Sequence, residues 1–492
     1  MIKDELQTLI LRNFPHHPTS EQAEVVEKWV DFLLTPRCDE LFLLTGYAGT
    51  GKTSLVGALV KSLRLLHRTV VLLAPTGRAA KVFSHYAQTP AYTIHRKIYR
   101  QKSFSPEMVG FEQTPNQLRG ALFIVDEASM IGGEGTTGSM FGTGRLLDDL
   151  VHHVYAGPGC RLMLIGDAAQ LPPVGEELSP ALNPQELEVY GLTVRSHALT
   201  QVVRQVKDSG ILWNATSLRD LIRKQFTHAL PRLRLMADVT LVPGNELIDA
   251  LEQSYSRCGT EDTIVVTRSN RRAIVYNNGI RARILDREEL LEGGDQLIVV
   301  RNNYYWTSAH EAGPSTAKPT PEEPASDTSQ ETDGIDFLAN GDMALVRRIR
   351  NERSFYGFRF ADATLRLPDY DDLEIDVTLL IDTLQAEAPA LTQEQQQKLF
   401  HAVCADYPEL KNRRDLLQRV KQDPYYNALQ VKYAYAVTCH KAQGGQWRHV
   451  YIDQGYLSPE MLTPDYFRWL YTALTRATEH VFLVNWPKDQ AF

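Results

Sequence analysis

The chain has 492 residues, too many for a single hydrophobic core and suited to about three domains. Its 43% hydrophobic and 23% charged residues exclude a disordered or fibrous protein. A net charge of −8 excludes a uniformly basic coat for duplex DNA, so any nucleic-acid contact is expected in a local groove. No apolar run is long enough to span a bilayer, and the first residues carry acids and no cleavable signal pattern, so a cytoplasmic protein with no membrane contact is expected. The cysteines (Cys38, Cys160, Cys258, Cys404, Cys439) are scattered without a C-x-x-C pair, which argues for reduced thiols over disulfides or zinc.

Residues 2–35 read as two helices, the second starting near Thr19 or Ser20 as N-cap. Gln22 has two readings there: a capped surface residue, or an amide able to pair with a donor and an acceptor on adenine. The apolar run Leu41 to Leu44 reads as a buried strand. It leads into Gly46, Gly51, Lys52 and Thr53, which match G-x-x-x-x-G-K-[ST], followed by helical spacing of Leu55, Val56, Leu59 and Val60. Strand, glycine loop and helix together make a phosphate-binding loop, in which Gly46, Gly49, Thr50, Gly51, Lys52, Thr53 and Ser54 would hold ATP. Lys52 would reach the β- and γ-phosphates and Thr53 would hold Mg²⁺.

A second strand, Thr69 to Leu73, runs into Pro75, Thr76, Arg78 and Lys81, whose donors suit the phosphates of a strand lying across a sheet. His95 follows, with Arg96, Lys97 and Arg100, and is read as a backbone contact. Residues 101–120 interrupt the αβ alternation with Phe104, Met108 and Phe111 among polar residues: a surface loop, or a small element projecting from the first domain. Leu122 to Glu127 is a third strand with an acidic end, where Asp126 would hold Mg²⁺ and Glu127 would orient or deprotonate water. The glycine-rich stretch 132–144 is expected to be mobile. A fourth strand, Leu162 to Asp167, precedes Gln170, placed to feel a γ-phosphate, and the stiff loop of Pro172, Pro173 and Val174.

Arg204 opens the second half and would reach a γ-phosphate from a facing domain. Thr263 to Val266 is again a buried strand. Residues 311–334 are rich in Pro, Ser, Thr and Glu and are expected to be a disordered acidic loop. Strand-like segments flank them, so a small β-barrel is expected, with a helical piece at 392–421. Tyr433 to Val437 is expected to return to the core sheet, followed by Thr438 to Gln446. A helix over Trp469 to Ala477 carries Arg476, a second candidate arginine finger, and Val481 to Val484 is a last strand.

Taken together, GYAGTGKT, APTGRAAK, VDEAS, GDAAQLPPV, VVRQ, VTCHKAQGGQ and YTALTRA, from residue 46 to 477, resemble the motif set of superfamily 1 helicases in the RecD/Dda-like branch. The resemblance implies an α/β protein of two RecA-like motor domains with parallel sheets that sandwich ATP. The first motor would take 1–95 and 119–198, with a pin element at 96–118 carrying Phe104 and Phe111. The second would take 199–299 and 426–492, with an SH3-like barrel inserted at 300–425. Lys52, Glu127, Gln170, Arg204 and Arg476 would be catalytic, and Gln22 and Gly445 would join the nucleotide site. Pro75, Thr76, Arg78, Lys81, His95, Pro172, Val174, Thr438, His440 and Lys441 would line the DNA track. The implied activity is ATP- and Mg²⁺-dependent 5′→3′ movement of a monomer on single-stranded DNA, with unwinding at junctions in replication, recombination or repair. An RNA helicase, a translocase that does not unwind and an ATP-gated clamp are the competing readings.

Overall fold

In the computed structural model, residues 2–101, 111–133, 142–202, 209–227, 229–308, 337–410 and 412–492 are described. Two parallel sheets and one closed barrel organise them. The first sheet has six strands in the order Ala91–Thr93, Val70–Ala74, Leu122–Val125, Arg161–Gly166, Glu40–Gly46 and Thr193–Leu199. Its inner strands Val70–Ala74 and Leu122–Val125 are apolar throughout, and Arg161–Gly166 is apolar after its first residue, as a parallel sheet covered on both faces requires. Helices Ile2–Asn13, Ser20–Leu34 and Lys52–Leu65 pack there around Trp29, Phe32 and Phe42. The second sheet runs Ala436–Thr438, Thr263–Thr267, Trp447–Asp453, Ala477–Val484 and Val239–Val242, again all parallel. These are the two RecA-like domains.

The projecting element has a root of two short antiparallel strands, Tyr99–Gln101 and Phe111–Gln113, with the Arg100 guanidinium 3.2 Å from the Glu112 carboxylate across them. Tyr99 Oη donates to Asp149 Oδ2 at 2.6 Å, which fastens this root to helix Leu146–Ala156. Its tip, with Phe104, lies outside the described residues, as do Arg204, most of the glycine-rich stretch 132–144 and the acidic segment 311–334.

The barrel closes from Gln296–Val299, Met343–Phe355, Phe358–Leu367, Leu373–Leu380 and Leu429–Tyr433, within a compact unit spanning Glu289–Tyr433. It is therefore wider than the expected 300–425 by one strand at either end. Tyr433 likewise closes the barrel, and only Ala436–Thr438 of the expected 433–437 strand enters the core sheet. Short apolar strands state that they are buried but not which sheet receives them. The helical piece is a pair, Gln393–Ala405 and Arg413–Lys421, whose Leu399, Val403 and Val420 pack on Phe358, Phe360 and Leu380 of the barrel. No helix among the described residues is long and apolar enough to cross a membrane.

Candidate active site

The phosphate loop lies between the middle strand Glu40–Gly46 and helix Lys52–Leu65. Gly49 and Gly51 take left-handed φ values of 79° and 81°, which turn successive N–H groups inward. Gly46 has no room for a side chain: a Cβ would stand 3.0 Å from Leu199 and Lys52. Helices Ser20–Leu34 and Gly77–Ala87 cap their first amides with Thr19 and Thr76, but Lys52–Leu65 has no side-chain cap. Its free N–H groups and dipole are an anion site. Lys52 Nζ donates to the loop carbonyls of Gly46 at 2.5 Å and Tyr47 at 2.9 Å. Thr53 and Ser54 begin the same helix, half-buried.

Gln22 is buried, so the surface reading does not hold. Its Oε1 accepts from Thr19 N at 3.0 Å in a capping box, and its Nε2 donates to the phosphate-loop carbonyl of Thr50 at 2.9 Å. Both ends of the amide are thus engaged in tying the first helices to the phosphate loop.

Asp126 and Glu127 follow strand Leu122–Val125. Enclosure and the neighbouring Glu127 charge raise the Asp126 carboxyl to about 7, with the Lys52 charge opposing. Glu127 takes φ 53° and ψ 37°, left-handed for a residue with a Cβ, and such backbone costs about 1–3 kcal/mol. Strain of this kind points to a side chain held in place for use. Asp126, Glu127 and the Thr53 hydroxyl are the oxygen donors that suit a hard divalent cation, and the raised pKa of Asp126 marks a carboxylate short of positive charge. Gln170 is also buried, and its Oε1 has no hydrogen-bond partner among the described residues.

The second domain closes this site. Arg476 is 5% exposed, with Nη1 4.0 Å from Glu127 Oε1. Its other contacts are Thr472 O at 3.2 Å, Gly445 O at 3.3 Å and Thr475 Oγ1 at 3.3 Å, so Gly445 reaches the site through Arg476. Tyr471 Oη accepts from Ala48 N of the phosphate loop at 2.9 Å and donates to Asp167 Oδ2 at 2.6 Å. Thr472 Oγ1 accepts from Leu171 N at 2.9 Å, and Gln443 Nε2 donates to Leu171 O at 2.7 Å. Tyr471, Thr472, Gln443 and Asp167 lie inside the quoted motifs, but sequence reasoning gave them no role. Their adjacency to Arg476 and Gln170 in the chain was the available signal.

The residues expected along a strand track divide. Arg78 does not face outward: its guanidinium stacks 4.0 Å over Trp447 and Nη2 donates to Gln446 O at 3.0 Å, joining the two domains. Gly444 and Gly445 permit this approach, since a Cβ on either would press into Thr76, Ala79, Trp447 or Arg78. Thr76 Oγ1 is spent on its own helix as a cap, accepting from Ala79 N at 3.2 Å. Burial depresses His95 to about 4, so its imidazole is neutral near pH 7 and brings no charge to a phosphate. Pro75, Thr438 and Lys441 are half-buried, Pro172 is buried, and Lys81, Val174 and His440 are exposed. Although His440 is exposed as a residue, neighbouring atoms partly desolvate its imidazole and lower its pKa, with Asp465 opposing. Elsewhere Cys258, His449 and Glu479 cluster, but Arg448 holds both Glu479 oxygens at 2.7 and 3.2 Å, and its charge opposes a cation there.

Residues 18–235 match a family model described as an AAA domain, and residues 433–484 match a UvrD-like helicase C-terminal domain. The chain is similar to an ATP-dependent RecD2 DNA helicase of Deinococcus radiodurans, 33% identical over 205 residues, which is 41% of this chain and 24% of that one. It thus spans about a quarter of that relative's length. An uncharacterised protein of Acanthamoeba polyphaga mimivirus is 21% identical across 94% of this chain and 98% of its own. A crystal structure of the Pif1 helicase from Bacteroides with ADP-AlF3 and single-stranded DNA aligns over 96% of this chain and 93% of that one, at 13% identity and TM-score 0.44.

Proposed function

We propose that this chain is a superfamily 1 helicase of the RecD-like branch, which hydrolyses ATP between its two RecA-like domains and uses the cycle to move 5′→3′ along single-stranded DNA, opening duplex at junctions. The observation that carries the reading is Arg476 of the second domain facing Glu127 of the first, beside the phosphate loop. A switch built on one domain needs no such cross-domain arginine.

In this reading the uncapped N–H groups of helix Lys52–Leu65 and the Lys52 ammonium bind the β- and γ-phosphates, Lys52 exchanging its loop carbonyls for phosphate oxygens. Thr53 and Asp126 would hold Mg²⁺, which supplies charge neutralisation on the phosphates. Glu127 orients the attacking water, and Gln170 offers its free amide oxygen nearby in the same domain. Arg476 stabilises charge developing on the transferred group, and Arg204 would be a second such arginine; fingers of this kind are typically worth about 10³–10⁵ in rate. Domain closure and reopening would then alternate the grip on a strand whose phosphates supply affinity without sequence information. Lys81, His440 and Lys441 are the basic residues proposed to face it, and the two-stranded root at Tyr99–Gln101 and Phe111–Gln113 supports the pin that would part the duplex.

The deciding test is strand separation with ATP and Mg²⁺ on duplexes bearing a 5′ or a 3′ single-stranded tail, in DNA and RNA. Unwinding from the 5′ DNA tail alone is expected. Unwinding from the 3′ tail overturns the polarity, and unwinding of RNA overturns the substrate. ATPase stimulated by single strands without unwinding leaves a translocase, and ATPase indifferent to strands leaves a clamp.

A further inference from the structure

The segment Asp167 to Leu171 belongs to the first domain, yet the second domain grips it at both ends. At one end Tyr471 Oη donates to Asp167 Oδ2 at 2.6 Å while accepting from the phosphate-loop amide of Ala48 at 2.9 Å. At the other end Leu171 N donates to Thr472 Oγ1 at 2.9 Å, and Leu171 O accepts from Gln443 Nε2 at 2.7 Å. Asp167 Oδ1 also accepts from Ala169 N at 2.9 Å, which tightens the turn between them. Gln170 sits inside this clamp, 7% exposed, with an amide oxygen that no group among the described residues satisfies. A buried acceptor left open between two such anchored ends is arranged to meet something that arrives later.

We propose that Tyr471, Thr472 and Gln443 are positioning residues of the second domain that hold Gln170 in register with the phosphate loop. The hydrolytic arrangement of the first domain is then set only when the second domain is docked on it. The inference rests on the nucleotide site proposed above and gives its cross-domain coupling an atomic form. Tyr471 is the centre because one hydroxyl joins the phosphate loop, the Gln170 segment and the helix Pro464–Leu474 that leads to Arg476.

The test uses the full chain and basal ATP hydrolysis without nucleic acid, comparing Tyr471→Phe, Thr472→Val, Gln170→Ala and the pair Tyr471→Phe with Gln170→Ala. The Phe and Val replacements keep shape and delete one hydroxyl each, which guards against simple misfolding. A buried hydrogen bond to a charged partner predicts a fall in kcat of about tenfold for Tyr471→Phe. The KM for ATP is expected to stay within about twofold and the melting temperature to stay near that of the parent. In the Gln170→Ala background the same change should cost little more, since both act through one group. An unchanged kcat, a multiplicative double variant, or a loss of activity that only tracks lost stability overturns the proposal. A parent chain that hydrolyses ATP but ignores DNA defeats the motor reading while this comparison still decides. A parent chain without ATPase activity defeats both.

Discussion

The Arg476 guanidinium stands 4.0 Å from the Glu127 carboxylate, although the two residues belong to different sheets and are separated by most of the chain. Arg476 is buried, and its guanidinium also donates to Thr472 O, Gly445 O and Thr475 Oγ1, so its direction is fixed before substrate arrives. Arg476→Ala should lower kcat for ATP by about 10³-fold or more. Arg476→Lys should recover little, because an ammonium cannot reproduce the fork of contacts. Steady-state kinetics on both variants check this; a lysine variant near parental rate would show that charge alone suffices.

Lys52→Ala should remove hydrolysis while the chain stays folded. Among the described residues Lys52 bonds to the carbonyls of its own loop, Gly46 O and Tyr47 O, and the packing of helix Lys52–Leu65 comes from Leu55, Val56, Leu59 and Leu63. Phosphate release and thermal melting, measured together, separate the two effects.

Glu127→Gln should bind ATP and turn it over about 10²–10⁴ times more slowly. Glu127→Gly should be equally inactive but no less stable, because glycine relaxes the left-handed backbone that Glu127 occupies at φ 53°. A glycine variant that melts well below the parent would show that the side chain, and not the backbone, carries stability at this position.

His95 makes stability depend on acid. Burial holds its pKa near 4, below the ordinary 6.5, so the folded chain keeps it neutral while the unfolded chain protonates it. The contribution is complete above about pH 6.5 and is lost as pH falls toward about 4. Melting temperature against pH should therefore drop less steeply over that window in His95→Gln. The same variant should leave the salt dependence of single-strand binding unchanged, since a neutral ring releases no counterion.

Arg78 and Lys81 share one helix and should behave differently. Lys81 is exposed, and Lys81→Ala should weaken single-strand binding and reduce the salt slope by about one. Arg78→Ala should leave that slope alone and lower ATP turnover instead, because it removes the stack on Trp447 that joins the domains. Binding isotherms at several salt concentrations distinguish the two.

The phosphate loop was legible in the sequence because its chemistry is local: glycines at 49 and 51, a lysine and a threonine at a helix start specify one backbone path. The acidic strand end at Asp126 and Glu127 and the alternation of strands and helices were legible for the same reason. The barrel was legible as a run of short strands, but its outer members, Gln296–Val299 and Leu429–Tyr433, were not assigned to it in full. Burial is written in such segments, whereas pairing partners are not.

Sequence by itself determined the strand–glycine loop–helix path from Gly46 to Ser54, since the residues that set it are neighbours in the chain. Tertiary structure alone decided which polar side chains of the expected track are already engaged or uncharged. Arg78 is drawn to Trp447, His95 is left uncharged by burial, and the Thr76 hydroxyl is used by its own helix. It also decided that Tyr471, Thr472 and Gln443 reach across to Ala48, Asp167 and Leu171. The physical reason is distance along the chain. A local motif fixes its own backbone, but burial, protonation and cross-domain hydrogen bonds depend on neighbours that only the packed fold supplies.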